Sequence, residues 1–305
     1  TKKEFFSISE VLYTYYSTRN TLTRIHQKSA DLRHVVQTAL ERNRKKYDLQ
    51  SKQLKGTEKR DKYKVYGELI NTYGYNLEPG SKELTALNYY TNEEITIPLD
   101  PTQTPGKNAQ RYFAKYNKQK RTFEALTELI QETADDIQYL ESISNALDIA
   151  LSEADLAQIK EELMQSGYIR RKHTKKKVKL TSKPMHYISS DGYDMYVGKN
   201  NLQNEELTFS FANGNDWWFH AKGAPGSHVI VKSGGDELPD RTFEEAGRLA
   251  AYYSKNRGAD KVEIDYIQKK HVKKPNGAKP GFVVYYTNYS LVIDSDISNI
   301  KNVQD

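Results

Sequence analysis

The chain has no cysteine among its 305 residues. That excludes a disulfide framework and any cysteine-based metal site, and it suits a reducing compartment. Methionine is nearly as scarce, with three in all and the first at Met164. With Thr1 at its start, the sequence is expected to be the C-terminal part of a longer protein. No apolar run approaches the length of a membrane span and no signal peptide opens the chain, so no membrane insertion is expected. There is no internal repeat. Glycine and proline are missing from two long stretches, 11–39 and 112–151, and these carry the most informative pattern in the chain.

The first stretch holds a ladder of Val11, Tyr15, Thr18, Leu22, Ile25, Ser29, Leu32, Val36 and Ala39. The second holds Tyr112, Tyr116, Gln119, Phe123, Leu126, Ile130, Thr133, Ile137, Leu140, Ser144, Leu147 and Leu151. Both step 4, 3, 4, 3, the spacing of a coiled-coil seam. A lone helix leaves such a seam in water, so the two are expected to close on each other as an antiparallel hairpin; a parallel dimer is the structural rival. About forty residues per helix at 1.5 Å rise gives an arm of about 60 Å. A protein that reaches across a large partner needs such an arm more than a globular enzyme does.

The net charge of +6 is mild, but its placement is uneven. From Arg42 to Lys64 there are ten Lys or Arg against Asp48, Glu58 and Asp61, and from Lys107 to Arg121 six against none. The stretch from there to Gly167 has eleven acids opposed by Lys160 alone. In an antiparallel hairpin both basic blocks meet at the far end of the arm and the acidic block lies along its base. Basic tips favour phosphate backbones through counterion release; the same charges also suit solvated faces of long surface helices. The tip cations assigned to RNA are Arg42, Arg44, Lys45, Lys46, Lys115, Lys118, Lys120 and Arg121.

The expected architecture is α+β. A coiled-coil arm over 1–167 carries a small α+β tip insert at about 55–106, a basic linker spans 168–183, and a compact mixed domain fills 184–305. Ser7 or Ser9 caps the first helix, which runs to about Leu54; a helix over Glu58–Tyr73 and a hairpin of Leu84–Tyr90 with Ile95–Leu99 form the insert. Ser152 and Asp155 cap a short helix that ends at Gly167. The linker contains no acid from Arg170 to Lys183, and can track nucleic acid or lie against the acidic arm base. Asp191-Gly192 marks a type I′ hairpin. Thr242 and Glu245 form a capping box for a helix that stops at Gly258. Trp217–His220, Val229–Val231, Val262–Ile267, Phe282–Thr287 and Ser290–Ile293 read as strands.

Three clusters in this last domain can carry chemistry. Lys199, Asn200, Asn201 and Asn204 can donate to phosphate or base edges, or serve as a cap and turn. In Asp216–His228, Trp218 and His220 share one strand face and Trp217 and Phe219 the other. One face is expected in the core, while the other presents an aromatic for stacking. The loop Gly223–Ser227 offers backbone N–H groups to an anion. Lys269–Gly281 is a basic loop that includes Lys273, Lys274 and Lys279. Asp216, His220, Ser227 and His228 contain the residue types of a hydrolase, but Gly-Ser-His lacks the glycines of a nucleophile elbow and the histidines lack a third metal ligand. The chain is therefore expected not to be an enzyme, and no metal or cofactor is assigned.

Taken together, Asp191-Gly192, Val197-Gly-Lys-Asn-Asn201 with Asn204, Asp216-x-Trp-Phe-His-Ala-Lys222, Pro225-Gly-Ser-His228 and Val272–Gly281 resemble an NFACT-R domain. Ile97-Pro-Leu-Asp100 and Asn108–Phe113 resemble the coiled-coil and middle region of the same family. That family is RqcH, known in eukaryotes as NEMF and in Gram-positive bacteria usually labelled fibronectin/fibrinogen-binding protein. The resemblance implies ribosome-associated quality control in the cytoplasm. Such a protein binds RNA and the obstructed large ribosomal subunit, and its full-length form recruits alanyl-tRNA for C-terminal alanine tailing of stalled chains. It implies that tRNA is met mainly through N-terminal parts absent here. The RNA contacts expected of the NFACT-R domain are Lys199, Asn200, Asn201, Asn204, Asp216, Trp218, His220, Lys222, Ser227, His228, Lys273, Lys274 and Lys279. The alternative is a surface adhesin that binds fibronectin or fibrinogen.

Overall fold

The structure, a computed structural model, describes residues 6–170 and 181–303. Residues 171–180 of the basic linker, and the side chains of Thr18 and Leu22 in the first ladder, lie outside what is described. The protein is mixed α+β. Its first half contains helices α1 (Ile8–Lys28), α2 (Ala30–Lys55), α3 (Asp61–Tyr73), α4 (Pro105–Ile149) and α5 (Glu153–Gln165), with strands β1 (Glu83–Asn88) and β2 (Glu93–Pro98) between α3 and α4. By its contacts the chain forms two compact units, residues 1–41 with 137–305, and residues 42–136.

The first helix does not run unbroken to Leu54. It is interrupted at Ser29, whose hydroxyl donates to the His26 carbonyl and accepts from Arg33 Nε; a serine that bonds its own backbone competes with the helical ladder. Val11 and Tyr15 are exposed, whereas Ile25, Leu32, Val36 and Leu40 are buried against Tyr139, Leu140, Ile143 and Leu147. The guanidinium of Arg33 bonds the Leu147 carbonyl at 2.7 Å and Asp148 at 2.5 Å. Each fully buried Leu or Ile here is worth about 1.5–3 kcal/mol. In the second ladder every rung from Tyr112 to Leu147 is buried or half-buried, and only the last, Leu151, is exposed. Ser152 caps α5 with Asp155 in a reciprocal capping box, which satisfies two amides at the helix start.

Within residues 42–136 the hairpin β1–β2 pairs antiparallel from Glu83 opposite Pro98 to Asn88 opposite Glu93. Alternate residues of β1 point inward, so Leu84 and Ala86 join Leu69, Ile70, Ile97 and Ala109 in a small core. The Asn108–Phe113 segment explains itself residue by residue. Buried Asn108 receives the Asp100 amide at 2.8 Å and donates to the Asp100 carbonyl at 3.0 Å. Arg111 faces Asp100, and the Tyr112 hydroxyl donates to the Pro98 carbonyl. The outer end of the Phe113 ring lies against Gly67, where a Cβ would approach its atoms to 2.8 Å.

The C-terminal region forms one seven-stranded sheet. Its strands are β3 (Met185–Ile188), β4 (Asp194–Val197), β5 (Trp217–Ala221), β6 (Val229–Val231), β7 (Val262–Gln268), β8 (Tyr289–Ile293) and β9 (Lys301–Asn302). The order is β8-β7-β5-β6-β4-β3-β9, with every pair antiparallel. Helix α6 (Asn201–Glu206) runs on into a π-helical turn over Leu207–Phe211, and α7 (Asp240–Tyr252) crosses the sheet. Phe219, Val229 and Val231 pack toward Ala246, Leu249 and Ala250 of α7. Trp218, Ile230 and Ile267 pack on the other face with Leu207 and Val272. Both faces are therefore covered, and the expectation that β5 presents an aromatic for stacking fails on one side: Trp218 and Phe219 are both fully buried.

Four local expectations are corrected. At Asp191-Gly192 only the glycine takes a positive φ, 90°, and the Ser189 carbonyl accepts from the Gly192 amide while the Ser189 amide donates to the Tyr193 carbonyl. That is a turn closed by a glycine bulge rather than type I′, which needs two positive φ values. Thr242 and Glu245 do not form a capping box, because α7 begins two residues earlier, after Pro239. Their side chains instead reach the β3–β4 turn, Thr242 to Ser189 and Asp191, Glu245 to the amide and hydroxyl of Ser190. Helix α7 stops at Tyr252 rather than Gly258, and Phe282–Thr287 is not a strand; its one ladder contact is Lys273 with Val284.

Gly67→Ala tests the close approach at Phe113. Overpacking costs about 1–3 kcal/mol, offset by about 1 kcal/mol of helix propensity. The expected result is faster hydrogen exchange in 61–73 and 105–116, with unchanged protection in 217–231.

Candidate nucleic-acid interface

The residues proposed for RNA divide by burial. Asn200 caps α6 by accepting from the Gln203 amide, and its own amide donates to Gln158 at 2.8 Å. Asn201 donates to Ser142 at 2.7 Å and to Glu162 at 2.8 Å, while Gln203 donates to Gln158 and Ser182. Lys199 faces Asp155 at 3.1 Å, with the lysine side chain 11% and the aspartate 1% exposed. Asn204 donates to the Gly226 carbonyl and accepts the His228 amide. Gly198 is obligatory beside it, since a Cβ there would collide with Asn204 Oδ1. These four residues are thus fastenings between α6, α5 and α4 and the Gly226–His228 loop, not surface donors.

Asp216 is corrected in the same way. Its carboxylate accepts from the amides of Asn213 and Ser233 and pairs with Lys232 at 2.5 Å. His228 is buried with Nδ1 2.8 Å from Thr208, and Ser227 is buried with its amide bonded to the Tyr253 carbonyl. The amide of Ser227 therefore offers nothing to an anion. Burial pushes His220 down to about 4 and His228 well below the ordinary histidine range, so both rings are neutral near pH 7. Trp218 lies in the core within 5.7 Å of the His220 ring and 5.1 Å of the His228 ring. His228 and Trp218 are buried and lack the exposure that stacking on a base requires, whereas His220 is half-buried at the edge of this group.

The exposed cations sit elsewhere. The loop after β7 is anchored by Glu205, which pairs with Lys274 at 2.6 Å and accepts the Gly281 amide. Lys279 lies 4.7 Å from the Tyr139 ring centroid. Lys270 and Lys273 are exposed and face no carboxylate among the described residues. Lys222 is exposed but paired with Glu263 at 2.5 Å. It leaves the opposite end of β5 from Lys269, whose amide bonds the Asp216 carbonyl.

In residues 42–136 the tip cations are all exposed, but they do not form one group. Thr133 donates to Gln50 at 3.0 Å, and the Arg60 guanidinium lies 3.9 Å over the Phe123 ring. Ten residues forward from Gln50, past the end of α2 to the turn at Arg60, match ten back along α4 from Thr133 to Phe123. Arg42, Arg44, Lys45 and Lys46 therefore lie some nineteen positions from Lys118, Lys120 and Arg121, about 28 Å along a helix axis at 1.5 Å per residue. The cations that do join Lys118–Arg121 are Lys59, Arg60 and Lys62, and this grouping was readable only with the register known. Lys115 sits 4.2 Å over Tyr63 and, chiefly by its hydrogen bond, lowers that phenol below its ordinary range.

With this geometry in place, comparison with known proteins decides the family. Residues 1–182 match the model of the NFACT N-terminal and middle domains, and residues 183–286 that of the NFACT protein RNA binding domain. The chain belongs to the NFACT family. The Rqc2 homolog RqcH of Streptococcus pneumoniae (strain D39) is 40% identical over 301 residues, covering 98% of this chain and 54% of that protein. That of Bacillus subtilis (strain 168) is 38% identical over 305 residues, covering 98% and 53%. The chain thus spans about half the length of the curated NFACT relatives it matches. The solved C-terminal part of the fibronectin/fibrinogen-binding protein from Streptococcus suis is 38% identical, with a TM-score of 0.72 over 92% of this chain and 99% of that one. Among the described residues no helix is long and apolar enough to cross a membrane.

One buried acid makes the NFACT-R fastening sensitive to pH. Burial raises Glu162 to about 7, against hydrogen bonds from Asn201 and Tyr139 that lower it, with Glu205 nearby adding to the rise. The folded state then holds a proton that the unfolded chain has lost above pH 4.5. Stability from this group is full below 4.5 and is lost as pH rises through 7. Melting Glu162→Gln beside the parent chain checks this: the variant's Tm relative to the parent should rise between pH 5 and pH 7.5. A constant difference would refute it.

Proposed function

We propose that this chain is the RNA-contacting portion of a ribosome-associated quality control factor. The observation that carries the reading is the NFACT RNA binding domain over 183–286 with Lys270 and Lys273 exposed on its anchored loop. The partner is the large ribosomal subunit, obstructed by a stalled chain, and its RNA. In the full-length protein, alanyl-tRNA is recruited for alanine tailing, while peptide-bond formation stays with the ribosome, so the chain is a binding factor rather than an enzyme. The site of action is cytoplasmic. The functional partition is an arm over 1–167, a linker over 168–183 and the RNA-binding domain from 184. We read the packing of Leu32, Val36 and Leu40 with Tyr139–Leu147, and the bond of Thr133 to Gln50, as sections of the coiled-coil hairpin that the ladders predict. The group Lys59, Lys62, Lys118 and Lys120 is the arm's phosphate contact.

Binding of fibronectin or fibrinogen is the second reading, favoured by the name of the S. suis neighbour alone. The RNA reading draws on both a domain match and unpaired surface cations.

Filter binding of large-subunit RNA across a salt series tests the first. Reversing Lys59, Lys62, Lys118 and Lys120 to Glu should lower the slope of log K against log salt by about 3, since each phosphate contact contributes about 0.7–0.9. Lys270→Ala with Lys273→Ala should weaken binding further without lowering Tm. RNA affinity unchanged in both variants, together with retention on immobilised fibronectin, would favour the second reading.

A further inference from the structure

One cavity belongs to neither the RNA surface nor the fastening network. It measures about 430 Å³ and opens on the α7 side of the sheet. Its walls are four aromatic rings. Trp217 stands edge-on to Phe243 at 4.8 Å and lies 5.9 Å from Tyr266; Tyr266 stacks on Tyr289 at 5.5 Å, with Tyr289 6.5 Å from Trp217. Tyr289 is 59% exposed, so this wall is open to an incoming group. The rim carries Asp236, Glu237 and Asp240, and no lysine or arginine lines the space. None of the three carboxylates has a side-chain partner among the described residues. Asp240 lies close enough to Tyr266 to help raise its phenol, after burial and Tyr289.

Aromatic rings present a negative face, and a box of them attracts a cation that has shed part of its water. Carboxylates at the mouth add to that attraction and repel phosphate. A nucleic acid is thus the wrong occupant, and so is a neutral or acidic ligand. We propose that this cavity receives the side chain of a lysine or arginine from a basic polypeptide segment, giving the domain a protein contact separate from its RNA contact. The cavity is sized for one such side chain and its flanking backbone. This assignment stands whether or not the RNA reading holds, because it uses none of the same residues.

The test uses the 305-residue chain and short glycine-spaced peptides with arginine, lysine or the neutral arginine isostere citrulline. Binding is read from the indole N–H signal of Trp217, assigned with Trp217→Phe. Arginine and lysine peptides should move that signal saturably and the citrulline peptide should not. The triple variant Asp236→Asn, Glu237→Gln, Asp240→Asn should bind at least tenfold more weakly. Glu83→Gln, Glu93→Gln, Glu94→Gln changes the net charge equally on the β1–β2 hairpin and should stay within twofold. Tyr289→Ala, at an exposed ring, should weaken the arginine peptide at least threefold with no loss of Tm. Equal binding of citrulline, indifference to the triple variant, or displacement of the Trp217 signal by large-subunit RNA instead of peptide would each overturn the proposal.

Discussion

A buried polar lattice ties the C-terminal sheet to the ends of the long helices, and the unit formed by residues 1–41 and 137–305 is organised around it. Lys199 with Asp155, Asn200 and Gln203 with Gln158, and Asn201 with Glu162 and Ser142 cross between α6 and the pair α4–α5. A second set joins Asn145 to the Tyr253 carbonyl. Such groups contribute modestly when all are satisfied and cost several kcal/mol when one partner is removed. The joint is therefore unforgiving: it admits one arrangement of the sheet on the helices and penalises its neighbours. Apolar packing alone, as in the Ile25–Leu147 cluster, tolerates slippage that this lattice does not.

Around this lattice the acids of the 122–167 block have a structural use. Asp148 faces Arg33, Glu153 faces Lys28, Asp155 faces Lys199 and Glu141 faces Lys255. Four of the eleven acids in a run that reads in the sequence as a bare negative patch are thus matched by cations from elsewhere in the chain. The cations are treated differently, since Lys59, Lys62, Lys118 and Lys120 remain exposed.

The long helices were legible because only a helix keeps apolar residues on one stripe through so many alternating steps of four and three. The β1–β2 hairpin followed from alternation and turn residues. What escaped was whatever depended on a tertiary partner. Thr242 and Glu245 have the spacing of a cap, yet the β3–β4 turn holds both side chains away from the helix end. Asn200, Asn201 and Asn204 look like ligand donors because amides at that density usually are exposed, and only the packing of α5 against the first two and of the Gly226–His228 loop against the third shows otherwise. The two-residue β9 and the π-helical turn at Leu207–Phe211 are too short to leave any periodicity. Trp218 and Phe219 point to opposite faces as alternation requires, but that a second layer covers both faces is a property of the whole sheet.

The division of contacts also sets an order in time. Ile25, Leu32 and Val36 bury themselves against residues 139–163, so more than a hundred further residues must be synthesised before their shelter exists. At about 5–20 residues per second those side chains stay wet for roughly 5–20 s during translation. Residues 42–136, by contrast, bring all the partners of their own small core within one contiguous stretch. Emergence from the ribosome thus completes the inserted unit first, while the segment ahead of it waits for the chain to come back.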